Sequence, residues 1–108
     1  MRGCCIRVRG EEITFDIDYG HGVEIKVSRS DLIKGAVFDQ SDGENLTARV
    51  WVREDMIYVL HVFGHDVAWP HNIYQFPLDL SGDRIDPIQS MPLHKYLALG
   101  GGIPFDDD

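Results

Sequence analysis

Apolar and polar positions alternate along most of this chain with a period of two, the period of a strand that buries one face. Cys4, Ile6 and Val8 alternate with Cys5, Arg7 and Arg9. Ile13, Phe15, Ile17 and Tyr19 alternate with Thr14, Asp16 and Asp18, and the pattern resumes after Gly20-His21-Gly22 as Val23, Ile25 and Val27 against Glu24, Lys26 and Ser28. Two glycines in a three-residue connection supply the positive φ angles that a hairpin loop requires, so these two segments are predicted to pair. Leu46, Ala48, Val50 and Val52 alternate with Thr47, Arg49, Trp51 and Arg53. Tyr74, Phe76, Leu78 and Leu80 alternate in turn, but Pro77 cannot donate to a ladder, which predicts an edge strand.

One run breaks the rule. Met56 to Phe63 is apolar on both faces, with His61 its clearly polar member, and Gly64 follows it. Such a run is expected at the centre of a sheet, covered on both sides. Glu54-Asp55 turns the chain into it. Helical signals are few. Ser28 to Gly35 reads as a short turn of helix, with Ser28 or Ser30 as cap, Asp31 in the first turn and Gly35 as the stop. A later helix is expected where Ser90 caps, Pro92 suits the first turn, Leu93, Tyr96 and Leu97 share a face, and Gly100 ends it. Ala36 to Phe38 reads as a brief strand, Asp39 to Asn45 as a loop, and Ser81-Gly82-Asp83 as a turn.

A shift of 44 residues superimposes Val8-Arg9 on Val52-Arg53, Ile13 on Ile57, Gly20-His21 on Gly64-His65 and Val23 on Val67. That is the mark of either a duplicated strand-turn unit or a chance likeness between strands. The expected fold is α+β leaning mainly β: a single antiparallel sheet of five to seven strands, with barrel-like closure as a variant, and one C-terminal helix packed on one face. Residues 1–108 form a single domain, with a Gly-rich, acidic tail over 100–108.

Composition narrows the partners. Eighteen acidic against ten basic residues leave a formal charge of −8. That field repels phosphates, so nucleic acid and anionic membranes are not expected partners, and a basic protein is. No apolar run approaches the ~18 residues of a membrane span. The two cysteines are neighbours, Cys4 and Cys5, which favours free thiols in a reducing cytoplasm; Cys5 is expected to be the more exposed.

Candidate chemistry is sparse. His61, His65, Asp66 and His71 are the densest group of potential metal ligands. On a strand, however, four residues span roughly 13 Å, and no HExxH or Cys/His spacing supports a site. Asp39 to Val50 resembles a calcium loop only superficially, because its glycine falls one place early and Val50 stands where a glutamate is needed. Gly20-His21-Gly22 lacks the following helix and Lys-Ser/Thr of a phosphate loop. No nucleophile motif occurs. No catalytic residue, metal ligand or cofactor is assigned. The segment with Asp66, Trp69, His71 and Tyr74 joins large aromatics to titratable groups in a turn after the central run, and is the expected recognition surface. The functional expectation is a small acidic cytoplasmic protein-binding module without catalytic activity, of the inhibitor or immunity type, docking on a basic partner. A homodimer is a further expectation, resting on Arg7, Arg9 and Pro77 at sheet edges. The alternative is a small enzyme or metal-dependent ligand binder using the histidines of 61–71.

Overall fold

A computed structural model of the chain describes residues 3–17, 23–42, 45–62 and 71–104. The alternating segments form strands β1 (Cys4–Arg9), β2 (Glu12–Ile17) and β3 (Val23–Ser28). Helix α1 (Arg29–Ile33) follows, then β4 (Phe38–Asp42), β5 (Asn45–Arg53), β6 (Met56–His61) and β7 (Asn72–Pro77). Two short strands, β8 (Arg84–Ile85) and β9 (Gln89–Pro92), precede helix α2 (Leu93–Ala98). They lie in two antiparallel sheets, ordered β3-β2-β1-β8 and β4-β5-β6-β7-β9.

The expected single sheet is therefore corrected to two, and neither closes into a barrel. The physical reason lies in the first hairpin. Ile13, Phe15, Ile17, Ile25 and Val27 make a broad apolar face that a six-residue helix cannot cover. Another sheet can, and the two apolar faces enclose one core. Phe15 from one sheet meets Phe76 from the other edge to face, with centroids 6.5 Å apart and planes at 78°. Ile6, Ile57, Val59 and Leu32 fill the space around them.

The run from Met56 becomes β6, the middle strand of five, as its two apolar faces require. Ile57 and Val59 point into the shared core, while Tyr58, Leu60 and Val62 point to a second cluster outside it. That outer cluster also holds Trp51, Ile73 and Met91, with Tyr96 and Leu93 of α2 and Ile103 beyond it. Residues 101–104 thus cross the sheet as a strap. The Tyr96 hydroxyl donates to the Gly102 carbonyl at 2.6 Å, and Arg49 Nη1 donates to the Pro104 carbonyl at 2.7 Å. The part of the tail beyond Pro104 lies outside the described residues.

The hairpins β1-β2 and β5-β6 match under the 44-residue shift. Val8 pairs with Ile13 and Arg9 with Glu12; Val52 pairs with Ile57 and Arg53 with Met56. Each turn opens on a residue with positive φ, Gly10 at 62° and Glu54 at 59°. Each hairpin also turns the corresponding residues inward: Ile6 against Val50, Ile13 against Ile57, Phe15 against Val59.

Several local expectations change. Pro77 is not on an edge strand: β7 lies between β6 and β9, and Pro77 is tolerated because β9 pairs only with Asn72 to Gln75. Asp39 lies in a strand rather than a loop, held to Arg49 by two hydrogen bonds of 2.7 and 2.9 Å. Leu97 is 49% exposed, since α2 is short and seats Tyr96 and Leu93 on the sheet instead. Ser90 belongs to β9, and the first amide of α2, at Leu93, donates to the His71 carbonyl at 2.7 Å. Helix α1 matches its signals, with Ser28 Oγ accepting from the Asp31 amide and Gly35 at φ 98° beyond the helix. Glu11 in the first turn accepts from the Ser30 amide and hydroxyl, and these bonds hold its carboxyl below the usual range.

Candidate functional site

The two sheets differ in what lies on their outer faces. The five-stranded sheet is covered by α2 and the strap. The four-stranded sheet presents the polar half of its alternation. Register places Arg84, Arg7, Thr14 and Lys26 in one row across β8, β1, β2 and β3. On one side of it runs the row Cys5, Asp16 and Glu24, and on the other Arg9, Glu12 and Ser28. Asp83 closes the β8 end. A concavity of about 840 Å³ lies over these rows, lined by four of the chain's ten basic residues, Arg7, Arg9, Lys26 and Arg84.

Two arginines directly opposite each other repel, and the face answers with carboxylates. Arg7 forks to Asp16 at 3.0 Å and to Glu24 at 2.9 Å, and Arg84 reaches Asp86 at 3.1 Å. These pairs are partly to largely exposed, so each contributes no more than about 1 kcal/mol. Their main effect is to set the orientation of the guanidinium groups. Thr14 is buried at the centre of the basic row. The result is a ladder of alternating charge on a twisted, concave sheet, a surface that suits a partner of complementary charge pattern.

Cys5 lies on this outer face and Cys4 on the inner one, as alternation requires. The expected exposure of Cys5 is corrected, however: both thiols are buried, Cys4 at 0% and Cys5 at 3%. Burial pushes both thiols upward in pKa; for Cys5 the nearby Arg84 and Arg7 work against that rise, and for Cys4 the neighbouring Cys5 adds to it. Both therefore remain protonated near neutral pH, which is the unreactive form.

The four residues expected to form a recognition surface are distributed differently. Asp66 and Trp69 lie outside the described residues. His71 is half-buried just before β7, with its carbonyl bonded to α2. Tyr74 is corrected from surface to interior: it is 5% exposed and packs in the shared core with Phe76 and Leu80. Its alternation with Phe76, Leu78 and Leu80 was legible, and the face they share is the inner one. His61 is also buried, paired across the ladder with Asn72. That register sends His61 to the inner face and the position of His71 to the other. His65 lies outside the described residues, as does the Gly20-His21-Gly22 connection. Among the described residues, no three His, Cys, Asp or Glu side chains group as metal ligands. No described helix is long and apolar enough to cross a membrane.

The basic row was missed from the sequence because its members come from four strands. The available signal was the polar half of the first alternation, Arg7 and Arg9 facing away from Ile6 and Val8. What was missing was Arg84, whose short strand β8 has no periodicity to announce it. Compared with family models, with curated proteins and with solved structures, the chain matches none.

Proposed function

We propose that the chain is a binding module that docks on a protein partner through the outer face of its four-stranded sheet. The observation that supports this reading is the row Arg84, Arg7 and Lys26, with Arg9 beside it, on a sheet face that neither described helix covers, in a chain whose net charge is −8. Elsewhere the excess of acid discourages contact with polyanions. On this face the cations are gathered, with Arg7 oriented by Asp16 and Glu24, and backed by the sheet. An acidic element of a partner would lie along the row, while Glu12, Glu24 and Asp83 would set its register against basic residues of the same partner. The basic partner expected from net charge alone is thereby refined to one of mixed charge. The binding is non-catalytic, of the inhibitor or immunity type, and acts in the cytoplasm.

The test is capture of the partner from the native host on immobilised chain, followed by affinity measurement with both proteins purified. The double substitution Arg84→Glu with Lys26→Glu reverses two ends of the row without touching the core. It is expected to weaken binding at least tenfold, about 1.4 kcal/mol, and to flatten its salt dependence. Trp69→Ala, in the segment first expected to bind, is expected to leave affinity unchanged. The opposite pattern, with Trp69→Ala alone weakening binding, would move the docking surface off the sheet.

A further inference from the structure

On the other side of the molecule, Trp51 is 2% exposed and stacks on Tyr58, with centroids 5.7 Å apart and planes at 14°. Its indole Nε1 is sealed from solvent and has no hydrogen-bond partner among the described residues. An indole nitrogen only donates. Buried donors in native proteins are nearly always bonded, so this one calls for an acceptor. A cleft of about 340 Å³ lies against the same residue, between β5 and the strap, with walls from Val37, Trp51, Arg53, Gly102, Ile103 and Pro104. Val37 is 39% exposed at its rim. Arg53 is exposed and brings a cation to an otherwise apolar wall. Its guanidinium carries five N–H groups, donors enough for a ligand.

We propose that this cleft binds a small carboxylic acid with an apolar body, whose carboxylate accepts from Trp51 Nε1 and the Arg53 guanidinium while its hydrocarbon part covers Val37, Ile103 and Pro104. The donor dictates an acceptor, the cation dictates an anion, and the volume dictates a short acid, since clefts of this size stand at the small end of ligand sites. Nε1 is sealed while the strap is closed, so the acid enters as Ile103 and Pro104 lift. Gly100 to Gly102 give the strap its hinge, and the bonds Tyr96–Gly102 and Arg49–Pro104 close it again once the acid has left. This site is on the face opposite the docking sheet, and it stands or falls independently of the proposed partner.

The test titrates the full chain with 4-methylpentanoate and, separately, with its neutral amide, following the assigned Trp51 indole N–H resonance. The acid is expected to move that resonance downfield and saturably, with Kd below about 1 mM, and the amide to bind at least tenfold more weakly. Arg53→Gln changes an exposed side chain and is expected to reduce acid affinity at least tenfold, leaving the amide's unchanged. No saturable shift up to about ten times that concentration, equal affinity for acid and amide, or wild-type affinity in Arg53→Gln would each overturn the proposal.

Discussion

Glu54 carries the clearest strain at a single residue. Among the described non-glycine residues it is the one with a positive φ, 59°, at the position where the equivalent β1-β2 turn has Gly10 at 62°. The left-handed region costs a residue with a Cβ roughly 1–2 kcal/mol. Glycine avoids that cost but loses about 0.4–1 kcal/mol through the freedom it gives the unfolded chain. Glu54→Gly is therefore expected to stabilise the fold by about 0.5–1 kcal/mol, read as a higher urea midpoint at unchanged slope. A fall in the midpoint would show that the Glu54 side chain contributes more than its backbone strain costs.

Among the elements, the strap depends on Gly101 for a steric reason and on Gly100 for a conformational one. A Cβ on Gly101 would overlap Cζ of Tyr96, the carbon that carries the hydroxyl donating to Gly102. Gly100 has open space around its Cβ position but a φ of 88°. Gly101→Ala is expected to cost about 1–3 kcal/mol by overpacking and to change the near-ultraviolet circular dichroism of the Trp51, Tyr58 and Tyr96 cluster as the strap moves away. Gly100→Ala is expected to cost about 1 kcal/mol through its backbone alone, with the aromatic signal intact. Identical spectra for the two variants would mean that the strap does not rest on Tyr96. Helix α2 is then a support for the strap more than a cover for the sheet: Tyr96 is its buried member, and Leu97 and Leu99 face outward at 49% and 69% exposure.

For the whole molecule, the question is which sheet edges remain open. The strand with Arg7 and Arg9 and the strand with Pro77, on which the expected homodimer rested, are both interior. Of the edges among the described strands, β8 is two residues long, β9 ends in Pro92 and β4 lies beside β3. Strand β3 is left with Glu24 and Lys26 exposed along it, and charges on an edge discourage pairing. Sedimentation at micromolar concentration is expected to show a 12.3 kDa species. A species of twice that mass would show that β3 pairs with its copy, and Lys26→Pro should then abolish it.

The period-two alternation determined the strands, and the doubly apolar run from Met56 determined which of them is central. Gly35, Gly82 and Gly100 marked turns that the backbone confirms with φ of 98°, 99° and 88°. The 44-residue likeness pointed to two hairpins that share register and turn geometry. All of these are local signals, decided by side-chain spacing and backbone freedom within a few residues. Tertiary structure decided the rest. Whether an apolar face is covered by a helix, a strap or a second sheet depends on the area it must match, and alternation carries no measure of area. Trp51 reads as an outward residue beside Arg49 and Arg53 until the strap buries it. Tyr74 reads as a surface aromatic until the second sheet encloses its face. The basic row of Arg84, Arg7 and Lys26 exists only because β8 returns from the far end of the chain to lie beside β1, and a two-residue strand is too short to carry any period of its own.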